Sequence, residues 1–348
     1  MYVGLDLSRK RLDWQSLLPD GERAAIGAVP PDRDGLATLV RRLGDADDVV
    51  AVIESMSGAR FVHDELELHG WDVRIADALK ARGIAPLACK TDTIDTWVLA
   101  ELARLQLVPE IWLPDPEVRA ERERARFRLH LVKHRSSLKN RVHAILFQHG
   151  VPNPSSDLFG AGGRALLERL QLPEPWASTV AASLRLIDDL DREIGACERE
   201  LRTLGADHRY VARLMTCPGI SSVLAFTIAS EIGDIARFPS PRKLVGYTGL
   251  CPKVEQSGGR DRRGRLRKNG PTYLRWALVE AAHSANRHPC YRPVHERFLA
   301  RHGRRRDEAG SGRDRPPPGR GDLAHADPRP AVCSGRRPGV LGRMTASN

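Results

Sequence analysis

No apolar run in this sequence approaches the roughly 18 residues that a membrane-spanning helix needs, so no membrane span is expected. The opening stretch MYVGLDLSRK carries an acid, Asp6, where a secretory leader would have its apolar core, and no signal peptide is predicted. The sequence has no C-x-x-C pair. Its six cysteines (Cys89, Cys197, Cys217, Cys251, Cys290 and Cys333) are scattered, which argues against a zinc knuckle and a disulfide framework and fits a reducing, cytoplasmic setting. No histidine has an identifiable Ser-His-Asp partner set, so no hydrolase triad is suggested. At 41% the hydrophobic fraction is slightly low for a globular chain.

What the sequence does have is length and positive charge. Its 348 residues suffice for two domains. A formal charge of +11 points to a polyanionic partner, most simply nucleic acid, although an arginine-favouring GC-rich genome would give the same balance. The last 48 residues hold eleven arginines against five acids, about +6 of the total, and contain no Phe, Trp, Tyr, Ile or Lys. With Pro316-Pro317-Pro318 in their middle and no hydrophobic period, they are expected to be disordered.

Residues 1–107 read as alternating strands and helices. Tyr2–Leu7 is a short apolar strand, with Leu12–Leu18 and Ala24–Val29 as hairpin partners joined at Pro19-Asp20-Gly21. Leu36, Leu39, Val40 and Leu43 have helical spacing, and Val49–Ile53 is a continuous run suited to a strand buried on both faces. A helix over Gly58–His69, a strand over Trp71–Ile75 and a helix over Thr91–Leu107 follow. Three strands in succession, then helix and strand in alternation, is the order of an α/β ribonuclease-H-like fold. Residues 117–149 predict a long basic helix ended by Pro152 and Pro154, and Trp176–Leu204 predicts a second, so the pair suggests an antiparallel coiled coil or a dimerising arm. In the first helix, Glu121 and Glu123 could neutralise nearby arginines, or the surplus charge could meet RNA or DNA. Beyond it, Leu214 to Ser221 breaks one helix at Pro218-Gly219 and starts another. That turn resembles a helix-hairpin-helix element whose backbone N–H groups, at Gly219 and the next helix start, face a phosphate; a plain tight turn is the alternative.

Four acids stand out by position. Asp6 lies at the end of the first strand, beside Gly4, Glu54 directly follows the run Val49–Ile53 at another strand end, and Asp92 and Asp95 lie three apart near a helix start, on one face. Gathered in one pocket they would repel one another, and a divalent cation removes that penalty. Hard carboxylate oxygens suit Mg²⁺, and two such ions stabilise the entering and leaving oxygens of phosphoryl transfer. Singly, Asp92 could instead cap its helix, Asp95 could complement the helix dipole, and Glu54 could be an exposed strand end. A second focus is Ser257 in a predicted flexible loop, followed by Arg260, Arg262, Arg263, Arg265, Arg267 and Lys268. The basic residues would hold nucleic-acid phosphate close. Ser257 is either an activated nucleophile or a turn residue.

These residues resemble the transposases of the one-hundred-and-ten insertion-sequence family. The likeness rests on Val3-Gly4-Leu5-Asp6, Ile53-Glu54, Lys90 to Asp95 running into Val98–Leu102, Pro218-Gly219-Ile220, and Ala229 to Ile235 with Arg237 to Ser240. Leu244–Leu250 (LVGYTGL), Gln256-Ser257-Gly258-Gly259, Arg263-Gly264-Arg265, Lys268-Asn269-Gly270 and Leu274-Arg275 to Ala282 complete it, so it covers roughly residues 1–300. The resemblance implies a RuvC-like domain in which Asp6, Glu54, Asp92 and Asp95 bind Mg²⁺. It also implies that Ser257 attacks DNA phosphate to form a phosphoserine link. It implies donor and target DNA as partners, a structured non-coding guide RNA from the same element, and a homo-oligomer in which the serine domain docks on an acidic pocket, with residues 117–204 as RNA-binding and oligomerising parts. On this reading 1–110 is the RuvC-like domain, 111–207 a helical coiled-coil region, 208–300 a mostly α serine domain, and 301–348 a disordered tail. The register departs from the family after about Arg306, as a frameshift would produce. A RuvC-like junction nuclease using water, and an inactive nucleic-acid-binding remnant, remain open readings.

Overall fold

The structure, a computed structural model, describes residues 1–44, 48–84, 92–151, 157–266 and 269–302. They fall into two compact units, one ending at Leu113 and one beginning at Pro114. The predicted tail lies outside the described residues except for Arg301 and His302, which end a helix. No helix among the described residues is long and apolar enough to cross a membrane.

The first unit is built on five strands: β1 (Tyr2–Leu7), β2 (Leu12–Leu17), β3 (Arg23–Val29), β4 (Val50–Glu54) and β5 (Asp72–Ala76). Their order in the sheet is β3-β2-β1-β4-β5. β1, β2 and β3 pair antiparallel, while β1, β4 and β5 pair parallel. Side-chain alternation divides the sheet into two faces. Val3, Leu5, Ala51, Ile53, Val73 and Ile75 form one core with helices α1 (Arg33–Leu43) and α2 (Ala59–Glu67). Tyr2, Val50, Val52 and Ala76 turn the other way, onto Leu99 and Ala103 of α4 (Asp92–Arg104), which follows the short α3 (Ala78–Ile84). α1 starts where Asp32 accepts a hydrogen bond from the Gly35 amide, satisfying a free donor of the first turn. This mixed sheet with helices on both faces fits a ribonuclease-H-like domain. An antiparallel bridge between Ala76 and Glu110, together with Ile111 and Leu113 packed on the core, carries the unit to residue 113, slightly past the expected boundary at 110.

The second unit is mostly helical. α5 (Pro116–Gln148) and α7 (Trp176–Ala206) are 33 and 31 residues long. Their ion pairs run in opposite order: Arg124–Glu200 at 2.7 Å, Arg128–Glu198 at 2.5 Å and Arg135–Asp191 at 2.5 Å. The two helices are therefore antiparallel. These arginines pair across to α7 rather than with Glu121 and Glu123 of their own helix, which uses up much of the positive surplus read from the sequence. α6 (Ala161–Arg169) closes one end, where Leu158 and Leu167 meet Val142, Ile145 and Val180. Near the other end α8 (Val211–Met215), α9 (Ser222–Ile232), a 3-10 turn (Ile235–Arg237), α10 (Pro241–Thr248) and α11 (Thr272–Ala285) surround a second core. Ala125 of α5 and Leu201 of α7 belong to that core, so the helical pair does not stand apart from residues 208–300 as the sequence suggested. α12 (Arg292–His302) ends the described chain. The loop expected around Ser257 is instead a two-stranded antiparallel hairpin, β6 (Pro252–Ser257) and β7 (Arg260–Leu266).

Candidate active site

Two apolar strands of the first unit end side by side. In the parallel pairing of β1 with β4, Leu5 lies beside Ile53, and the next residues are Asp6 and Glu54. Glu54 stands at a strand end, as the sequence implied: it is the last residue of β4, paired with Ala76 of β5. Alternation places Asp6 and Glu54 on the face of Tyr2, Gly4, Val50 and Val52, under α4. Both are half-buried. Neighbouring strands lie about 4.8 Å apart, so the backbones of Asp6 and Glu54 stand side by side just beyond the Leu5–Ile53 pair.

α4 reaches this face because β1 carries no side chain at position 4. A Cβ on Gly4 would fall 1.8 Å from the Thr96 carbonyl oxygen and 2.8 Å from the Ala100 amide nitrogen. The residue before Thr96 is Asp95, half-buried in the first turns of the helix. Asp92 is the first residue of α4; its side chain lies outside the described set. The Gly4 contact thus fixes the level at which α4 sits on β1, with Asp6 two residues further along the strand and Asp95 one residue back along the helix. Among the described residues, no three Asp, Glu, His or Cys side chains converge closely enough to hold a metal ion by themselves. The donor chemistry of Asp6, Glu54 and Asp95, oxygen on a largely apolar face, fits a hard divalent cation. Further along α4, Glu101 pairs with Arg104 at 2.6 Å, and that hydrogen bond holds its carboxyl below the usual carboxylate range.

One acid beside this site escaped the sequence reading. Asp13 of β2 lies directly opposite Asp6 and shares its face. Arg11 grips it with Nε at 2.9 Å and an Nη at 2.7 Å. The signal was the short connection Ser8–Arg11, closed by the Ser8 amide donating to the Arg11 carbonyl at 2.8 Å, which sets Leu7 against Leu12 and hence Asp6 against Asp13.

In the second unit, Ser257 is the last residue of β6 and pairs in register with Arg260 of β7. Gly258 and Gly259 join them with φ of +56° and +76°, the backbone of a two-residue hairpin turn that glycine adopts without strain. Lys253, Arg262 and Arg265 are exposed on the strands. The side chains of Ser257, Arg260 and Arg263 lie outside the described set, as do residues Arg267 and Lys268. The Pro218-Gly219 turn joins α8 to α9, with Ser221 capping α9 through the Leu224 amide. Gly219 has φ +87°, and a Cβ there would lie 2.3 Å from the Ala281 carbonyl oxygen. Packing against α11 therefore accounts for this glycine. A buried ion pair holds the motif Ser230-Glu231-Ile232-Gly233. Arg126 of α5 donates to both carboxylate oxygens of the fully buried Glu231, at 2.7 and 3.0 Å. Arg122 donates to the Ser230 and Glu231 carbonyls, each at 2.7 Å, at the open end of α9.

Comparison with known proteins agrees with both units. Residues 3–150 match the transposase family DEDD_Tnp_IS110, and residues 211–298 match the family described as Transposase IS116/IS110/IS902. The chain is 27% identical over 256 residues to the transposase for insertion sequence element IS1328 of Yersinia enterocolitica, covering 70% of this chain and 73% of that protein. It is 28% identical over 204 residues to a Pseudomonas aeruginosa protein named "Probable family 20 transposase", covering 57% and 60% of the two. It is 24% identical over 208 residues to the transposase for IS1111A of Coxiella burnetii, covering 57% and 56%. A strand-end Asp and Glu beneath an acid-bearing helix, a serine on a basic hairpin, and two domain matches in this order show that the chain belongs to the IS116/IS110/IS902 family of insertion-sequence transposases.

Proposed function

We propose that this chain cuts and rejoins DNA strands for its insertion sequence through a phosphoserine intermediate. Asp6, Glu54, Asp92 and Asp95 hold Mg²⁺, and Ser257 is the nucleophile. The observation that carries the reading is the side-by-side ending of β1 and β4 under α4, which brings acids distant in sequence to one end of one face. Bound there, Mg²⁺ supplies charge neutralisation for the phosphoryl group undergoing transfer.

Ser257 Oγ bonds to phosphorus as one bridging P–O bond breaks. The serine proton passes to water, and the departing DNA oxygen takes up a proton. One phosphoester replaces another, so bond energy is retained and strands can be exchanged without an external energy source. Ser257 ends β6 directly before the Gly258-Gly259 turn, at the tip of a two-stranded hairpin. Lys253, Arg262 and Arg265, together with Arg260, Arg263, Arg267 and Lys268, offset phosphate charge along that hairpin and beyond it. Gly219 and the α9 N-terminus bind the backbone as a helix-hairpin-helix element does. Donor and target DNA are the substrates, a non-coding RNA of the element directs pairing, and the active form is a homo-oligomer.

Strand cleavage and exchange by the full chain with Mg²⁺ test this reading. Asp6→Asn and Ser257→Ala should each abolish exchange. Continued cutting by Ser257→Ala would identify water as the nucleophile and a RuvC-like nuclease instead. Full activity of Asp6→Asn would refute the acidic site.

A further inference from the structure

We propose that His130 and His134, on the exposed side of α5, form a bidentate site for a divalent transition-metal ion of the copper and nickel class. The two residues are one helical turn apart, so their side chains share a face. Their Nε2 atoms lie 2.9 Å apart and their ring centroids 4.4 Å apart. Imidazole nitrogen binds such metals at about 2.05 Å, and two ligands at a right angle on one ion are then about 2.9 Å apart. The spacing between the rings therefore matches the bite of a square-planar or octahedral centre. A tetrahedral centre would need about 3.3 Å on the same arithmetic.

The helix holds the pair in place. Arg128 binds Glu198 on one side of it and Arg135 binds Asp191 on the other, both across to α7. The nearest lysine, Lys133, places its ammonium 5.2 Å from the centre of the Tyr273 ring, and Arg126 lies 5.1 Å from the same ring. Both histidines are exposed, and among the described residues no third Asp, Glu, His or Cys joins them. Water fills the remaining positions. At 2.9 Å one ring donates from Nε2 and the other accepts. Metal binding needs the donor ring to move its proton to Nδ1 and both rings to turn so that the two Nε2 lone pairs meet at one ion instead of facing each other. Imidazole favours copper and nickel over the hard Mg²⁺, so this site differs in chemistry from the acids of the first unit.

Titration of the full chain with CuCl₂ and with NiCl₂, in excess Mg²⁺, tests the proposal. Because the chain has twelve histidines, the readout is the difference between proteins. His130→Ala and His134→Ala should each lose one equivalent of tight binding, while His283→Ala, an exposed histidine on α11, should lose none. Electron paramagnetic resonance of the Cu²⁺ complex should show coupling to two imidazole nitrogens in the parent and His283→Ala proteins, and lose that pattern in the other two variants. Unchanged stoichiometry and affinity in His130→Ala and His134→Ala would overturn the assignment. A parent spectrum without two-nitrogen coupling would also overturn it.

Discussion

Replacing Gly4 with alanine adds one methyl group where α4 crosses β1. The new Cβ would sit 1.8 Å from the Thr96 carbonyl oxygen, so restoring even a 3.0 Å separation means withdrawing the helix by about 1.2 Å. No rotamer change relieves the contact, because the atom struck is backbone. Overpacking of a close-packed interior costs about 1–3 kcal/mol, and a backbone clash belongs near the top of that range. Gly→Ala also removes freedom from the unfolded chain, which alone would stabilise by about 0.4–1 kcal/mol. The net expectation is a loss of roughly 2 kcal/mol in the first unit. Leu99 and Ala103 would be lifted from Val52 and Ala76, and Asp95 would move relative to Asp6. Urea unfolding followed by tryptophan fluorescence measures the stability, and Mg²⁺-dependent DNA cleavage measures the site. The sign of the effect decides. A variant more stable than the parent would mean that α4 does not rest on Gly4, and the argument that brings Asp95 toward Asp6 would fail with it.

Two further predictions concern ion pairs. Arg126→Ala leaves the fully buried Glu231 carboxylate without its cation. Breaking a buried pair costs about 3–5 kcal/mol, and because Arg126 itself is 38% exposed, the lower end applies. A urea midpoint equal to the parent's would contradict it, and the double change Arg126→Met with Glu231→Met should recover most of the loss. In α4, the Arg104 hydrogen bond lowers the Glu101 pKa, so the native state favours the carboxylate. Its contribution is present above the ordinary glutamate range and is lost as pH falls through the lowered value. Because solvent screens a pair at the surface, the contribution is small. Thermal melts at decreasing pH should show a smaller acid loss in Glu101→Gln than in the parent, and equal acid losses would refute the assignment.

The sheet of the first unit was legible because its strands are apolar and its turns punctuated. The run Val49–Ile53 announces a strand buried on both faces, and Pro19-Asp20-Gly21 marks a hairpin. The register that makes Asp13 a neighbour of Asp6 was present in the four-residue connection after Leu7, but it becomes visible only when strands are paired residue by residue. The hairpin bearing Ser257 was missed because arginine-rich strands carry little β signal. Gly258-Gly259 between two short segments was the available clue. The short α6 was hidden by Gly162 and Gly163, poor helix residues that its packing tolerates. The partners of three α5 arginines were hidden for a different reason: Asp191, Glu198 and Glu200 lie on α7, more than fifty residues away, and only the antiparallel fold reveals the match. Glu231 read as part of a family motif, and the structure supplies a physical reason for it in Arg126. The tail beyond His302 and its expected frameshift lie outside the described residues.

Covalent trapping distinguishes a serine nucleophile from water. The full chain is incubated with Mg²⁺ and a nicked DNA substrate that prevents rejoining, then digested and mapped by mass spectrometry. A nucleotide adduct is expected on the peptide containing Ser257, formed only with divalent cation and absent from Asp6→Asn. DNA cut in the presence of Mg²⁺ without any adduct on Ser257 would contradict it.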